Sequence, residues 1–294
     1  VVNRSRGTRP RRTSGPTPDG IEVQGVTKSL RGRLILDHVD LTVPRGSLTV
    51  MEGSNGAGKT TLVRTLATVV APDAGTARVN GYDVVRQSLD VRRSIGVSFA
   101  NERSLYWRIN SFQNLELFGK IAGLPKRVIA SRSADLIERL GINHVALNQV
   151  ARMSTGQRQR LMVARALLTD PAVILLDEPF RGIDEEGLGA ILGLVKERVA
   201  NGVTALIVAP LVDAILPAAD ATYIISGGVI RPTEGTSAVG DRQPDGDGGA
   251  GPVDVPEYPA EATAPVTTYV DPDPDPDPDI GADPVEVDRP RRTS

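Results

Sequence analysis

The chain has 294 residues, 40% hydrophobic and 24% charged, with a net charge of −2, no cysteine, two histidines and ten aromatics. That length is ample for a buried core, while the absence of cysteine excludes disulfides, thiolate metal sites and cysteine nucleophiles, and two histidines leave almost no room for an imidazole-built metal centre. The longest apolar-rich run, residues 199–212, is too short to span a bilayer, and no basic-then-apolar signal segment opens the chain, so we expect an intracellular, soluble protein.

The small net charge hides three unlike pieces. Residues 1–18 carry five arginines and no acid, whereas residues 231–294 carry fifteen acids against five arginines. Both ends lack the periodic apolar residues that would offset the entropy of ordering them, so a disordered basic leader and a disordered acidic tail are expected. The alternating Asp and Pro of 271–279 should form an extended, self-repelling spacer, with at most weak, nonspecific calcium binding. Residues 19–230, the expected folded domain, have a net charge of +3, too small to signal nucleic-acid binding.

Within that domain, residues 21–26 and 34–43 are short β-branched segments broken at Gly32, as in a small antiparallel sheet. Residues 47–51 read as a buried strand running into Gly53, Ser54, Asn55, Gly56, Ala57, Gly58, Lys59, Thr60 and Thr61, followed by a helical pattern over 62–70. This is a complete G-x-x-x-x-G-K-[ST] phosphate loop in its strand–loop–helix setting. Its glycines let backbone N–H groups converge on phosphate oxygens at the positive end of a helix. Lys59 would reach the β/γ-phosphates and Thr60 would ligate Mg²⁺.

Five of the ten aromatics fall within residues 99–118: Phe99, Tyr106, Trp107, Phe112 and Phe118. Such a cluster is either a core or a protein-binding surface. Phe112 and Phe118, with Leu115 and Leu117, read as core, and Tyr106, Trp107 and Arg108 as a loop that docks a partner. Farther along, Val173-Ile-Leu-Leu176 is an apolar run expected of a central parallel strand. It ends in Asp177, placed to hold the metal's water shell, and Glu178, placed to orient or deprotonate an attacking water.

Between these lies Met153-Ser-Thr-Gly-Gln-Arg-Gln-Arg160, which resembles the signature motif of ABC ATPases, with Thr155 at the first glycine. Gly182-Ile-Asp184 resembles that family's D-loop, and residues 101–108 resemble the Q-loop region of its export-type members. The resemblance covers residues 20–230 in the family's motif order. It implies an α/β fold: a RecA-like P-loop core, an antiparallel β subdomain and an inserted helical subdomain near 86–165. It also implies an ATPase using ATP and Mg²⁺ that pairs head to tail as a homodimer or heterodimer. In such a pair Ser154, Gly156 and Gln157 meet the partner's nucleotide, and a transmembrane permease contacts the chain near Asn101, Tyr106, Trp107 and Arg108. The protein would then lie at the cytoplasmic face of the membrane through that permease.

Three positions depart from the family pattern. Leu30 stands where many members stack an aromatic ring on adenine. The Q-loop glutamine, a metal contact, aligns with Asn101, with Ala100 the other candidate. After the strand expected at 205–208 the family places a histidine that contacts the γ-phosphate, but this chain has Ala209-Pro210, and proline has no hydrogen-bond donor. We therefore expect slow or asymmetric hydrolysis. His38 and His144 are expected to be structural or surface residues.

Overall fold

The computed structural model describes residues 20–100, 104–210 and 215–233, all within the compact unit Val1–Asp241. The leader expected over 1–18 and the tail expected over 231–294, apart from 231–233, lie outside them.

β1 (Ile21–Leu30) and β2 (Arg33–Val43) form a hairpin closed by Arg31 and Gly32, both at positive φ as a two-residue turn requires. With β4 (Ala74–Val79) and β5 (Tyr82–Asp83) they make an antiparallel sheet of order β2-β1-β4-β5. A second sheet has order β10-β9-β3-β8-β7-β6. Its strands are β3 (Leu48–Glu52), β6 (Ile95–Ser98), β7 (Val173–Asp177), β8 (Thr204–Ala209), β9 (Ala221–Ser226) and β10 (Val229–Pro232). All neighbours pair in parallel except the β9–β10 hairpin. The expected α/β architecture is therefore present, with an antiparallel sheet beside a mainly parallel one.

β7 and β8 are buried along their whole length because helices cover both faces of the sheet. Alternation sorts their side chains. Val173, Leu175, Leu206 and Val208 join the core formed by the antiparallel sheet and helix α1 (Lys59–Leu66). Ile174, Leu176, Ala205 and Ile207 join the core on the opposite face, with α5 (Thr155–Leu167) and α6 (Glu185–Ala200). α1 is shorter than the 62–70 pattern suggests. Its backbone leaves helical geometry just past Leu66, and Thr68 lies at φ 61°.

Helix α2 (Ser88–Ser94) leads straight into β6, whose four residues pair with β7 in the main sheet. Beyond residue 103 come α3 (Ser111–Ile121), α4 (Lys126–Arg139) and α5. α3 opens on a capping box, in which Asn110 and Gln113 each bond the other's backbone N–H. Leu115, Leu136 and Ile137 are fully buried between α3, α4 and α5. Phe112 corrects the sequence reading: at the second position of α3 it faces outward and is exposed, whereas Ser111, Asn114 and Leu115 face inward.

Helix α5 crosses β6 so closely that a Cβ on Gly96 would collide with the Ala166 carbonyl and with the Pro171 ring at 2.8 Å. Because one of these obstacles is backbone, the clash has no rotamer solution. Gly96→Ala should lower the free energy of unfolding by about 1–3 kcal/mol, measured by urea denaturation, whereas Gly189→Ala, in open space on α6, should not.

Candidate functional site

The carboxyl ends of β3, β8 and β7 converge, because Glu52 pairs with Ala209 and Asp177 with Val208. This places the loop after β3, the acidic pair after β7 and the Ala209-Pro210 end of β8 at one edge of the sheet, where parallel α/β folds bind ligands. A cavity of about 590 Å³ opens there. It is lined by Asn55, Gly56, Gly58, Lys59, Thr60 and Thr61 from the phosphate loop, and by Glu178, Phe180, Arg181, Ala209 and Pro210 from the other two strand ends.

The loop is pinned at both ends. Gly53 donates its N–H to the Ala209 carbonyl at 3.3 Å, and Gly58, at φ 112°, heads α1. Lys59 is buried, and its ammonium donates to the carbonyls of Gly53 (2.6 Å) and Ser54 (3.0 Å). Those bonds fold the lysine back over the loop in the same region where convergent N–H groups would receive phosphate.

Asp177 is fully buried, yet neither carboxylate oxygen closes a hydrogen bond of ordinary geometry with a described residue. Burial pushes its pKa up and the charge of Glu178 adds to that, while the nearby Thr60 hydroxyl, the Ala100 amide and Lys59 pull it down. An orphaned carboxylate beside a threonine hydroxyl and a phosphate loop is a hard-oxygen donor set that fits Mg²⁺, which takes one or two protein oxygens and completes its shell with phosphate and water. Among the described residues there is no cluster of three His, Cys, Asp or Glu side chains that could hold a metal ion. Asn101 lies outside the described residues.

Glu178 has a left-handed backbone at φ 49°, an uncommon conformation for a non-glycine residue. Three bonds hold it: its N–H donates to Val208 O (2.8 Å), and its carbonyl accepts from the Gln159 amide (3.2 Å) and the Arg181 N–H (3.4 Å).

Gln159 belongs to α5, the helix that carries the signature. Ser154 caps that helix, its Oγ accepting from Gln157 N–H (3.2 Å) while Gln157 Oε1 accepts from Ser154 N–H (2.9 Å). Gly156 is buried against the D-loop of its own chain, where a Cβ would stand 2.6 Å from the Gly182 carbonyl. Arg160, nearly buried, pairs with Asp184 at 2.8 Å, and Asp184 caps α6 through Gly187 N–H (2.9 Å). The signature residues do not line the cavity, and neither does Leu30, which sits half-exposed at the hairpin tip. His38 is exposed beside Asp37 (2.7 Å), and the exposed His144 contacts the Gln157 amide at 3.4 Å.

Sequence reasoning passed over Phe180, Arg181, Gln159 and Arg160. The first two directly follow Asp177-Glu178-Pro179, and the last two close the signature stretch Met153–Arg160 without having been assigned a role, so position in or beside a motif was the available signal.

An aspartate whose pKa rises on folding weakens the fold as pH rises above its unfolded value, and the penalty is complete once pH passes the folded value. Asp177→Asn should therefore raise the melting temperature of nucleotide-free protein at pH 7.5. The expected gain is roughly 2–4 °C per kcal/mol relieved, shrinking as pH is lowered, with loss of magnesium-dependent ATP turnover in the same variant.

Residues 36–181 match the family model described as ABC transporter. The chain is 37% identical over 217 residues to the daunorubicin resistance ATP-binding protein DrrA3 of Streptomyces coeruleorubidus, covering 74% of this chain and 68% of that one. It is 34% identical over 192 residues to the ABC transporter ATP-binding protein NatA of Bacillus subtilis, covering 65% and 78%. Among solved structures, the dimeric structure of a bacterial ABC transporter cassette superposes with a TM-score of 0.67 at 22% identity, covering 72% of this chain and 97% of that one. Identity at this level across most of both chains means that the protein belongs to the ABC transporter family as an ATP-binding subunit.

Proposed function

We propose that this subunit hydrolyses ATP to power export through a separate membrane permease. The observation that carries the reading is the cavity in which Lys59, Thr60 and Glu178 meet at the ends of β3 and β7, with Asp177 buried at the end of the same strand β7. Lys59 and the N-terminus of α1 offset phosphate charge, and Glu178 orients or deprotonates the attacking water. Magnesium, held by Thr60 and Asp177, would add charge neutralisation at the phosphates. Ser154, Gly156 and Gln157 cap the nucleotide of a second ATPase subunit, identical or not, so that ATP closes the pair and hydrolysis opens it. The resistance protein among its relatives favours export of a small compound, and no helix among the described residues is long and apolar enough to cross a membrane. Membrane attachment therefore falls to the permease, with no nucleic acid involved.

The docking patch is the aromatic loop. Tyr106 is 54% exposed and Trp107 42%, with Arg108 and Leu147 also exposed. The Arg158 guanidinium lies 5.1 Å from the Trp107 ring centroid, and Tyr106 packs on Phe118 at 6.0 Å. These contacts fix the rings while leaving their outer faces open, the pattern of an anchor residue.

A second reading rests on Pro210. It lines the cavity where a histidine would donate, and loss of one preorganised donor typically costs ~10²–10³ in rate. On that reading the subunit mainly clamps nucleotide beside a hydrolytically stronger partner in a heterodimer.

Turnover measured for the purified chain, alone and with the ATPase that copurifies from membranes, separates the two: comparable turnover alone supports the first, and strong activation by the partner the second. In Glu178→Gln, ATP should drive a dimer visible by sedimentation. Trp107→Ala should keep ATP affinity and melting temperature but lose permease copurification; a marked fall in melting temperature would assign Trp107 to the core instead.

A further inference from the structure

Arg181 is the exposed cation of the nucleotide cavity. Lys59, the other cation lining it, is buried and turned onto the Gly53 and Ser54 carbonyls. Arg181 has no acid within salt-bridge distance among the described residues, although Glu178 lines the same cavity and Asp184 lies three residues on. Asp184 is already committed to Arg160 and to the cap of α6. The backbone at Arg181 is anchored by the turn to the Glu178 carbonyl, so its position is tied to the residue placed to activate water. Pro210, which lines the same cavity from the end of β8, offers no donor. A guanidinium keeps its charge at any physiological pH and presents five donors in a planar fork suited to phosphoryl oxygens.

We propose that Arg181 is a catalytic residue of this site, donating to the γ-phosphoryl oxygens as charge develops on them and filling the role left open at Pro210. The inference rests on the hydrolytic reading above.

The test is a cycle of full-length proteins: parent, Arg181→Ala, Pro210→His and the double variant, with Arg181→Lys as a fifth. The readouts are ATP turnover, ADP affinity and affinity for ADP with aluminium fluoride, a mimic of the transferring phosphoryl group. Arg181→Ala should cut turnover and fluoride-complex affinity by ~10-fold or more and leave ADP affinity unchanged. Adding Pro210→His to the Arg181→Ala variant should restore both, with a pH dependence near the ordinary histidine range of about 6.5 that the parent lacks. Arg181→Lys should retain part of the activity.

Three results overturn the proposal: unchanged fluoride-complex affinity in Arg181→Ala, equal loss of ADP and fluoride-complex affinity, or losses that Pro210→His leaves untouched. Loss of ATP-driven dimerisation when Arg181→Ala is added to Glu178→Gln would also overturn it, making Arg181 an interface residue. If the parent turns over no faster than Glu178→Gln, the hydrolytic reading fails, and the fluoride-complex affinities still decide the role of Arg181.

Discussion

The register of three parallel strands sets the chemistry. Pairing of Glu52 with Ala209 and of Asp177 with Val208 ends β3, β8 and β7 on one line. A one-residue slip would exchange the two faces of a strand, sending Leu175 and Ile174 into the wrong cores. Burial on both faces makes that slip costly, so the sheet fixes the spacing between phosphate loop and acid. The Asp177 carboxylate without a closed hydrogen bond is what this precision permits: the group is held in the interior because pairing with Val208 on β8 specifies where it sits.

A second frame is helix α5, which does more than present the signature. Successive residues reach different parts of the chain. Arg158 lies over Trp107, Gln159 bonds the Glu178 carbonyl, and Arg160 holds Asp184. Near the far end of the helix, Arg165 donates to the Ser104 carbonyl at 2.6 Å and lies 4.7 Å from the Phe118 ring centroid. Burial lowers the pKa of Arg165 to about 10, which leaves it charged at neutral pH and makes its contacts with carbonyl and ring the substitutes for lost water. The aromatic loop, Glu178 and the 182–184 turn thus share one rigid support.

Local signals explain most of what the sequence made legible. The phosphate loop and the Val173–Asp177 strand are written in consecutive residues, and each needs only its own neighbours to form. Features decided by distant packing were harder to read. β6 is four residues long, and its place beside β7 depends on a glycine that admits α5. Phe112 looks apolar enough for a core, but its azimuth on α3 turns it outward. Within the site, the motif residues were found because they match a pattern. Phe180 and Arg181 were not, because a cavity wall is assembled from three strand ends and no single stretch of sequence records its composition.

The contact between Gly156 and the Gly182 carbonyl has a mechanical consequence. Glu178, Phe180 and Arg181, just before Gly182, line the cavity of their own chain, whereas Ser154 and Gly156 would serve the site across the proposed dimer. With no room for a side chain between them, and with Arg160 bridging to Asp184, the two segments form a single lever arm. In the proposed dimer, displacing the turn after Glu178 at one nucleotide would drag the capping serine at the other, so that backbone packing would link the two sites mechanically.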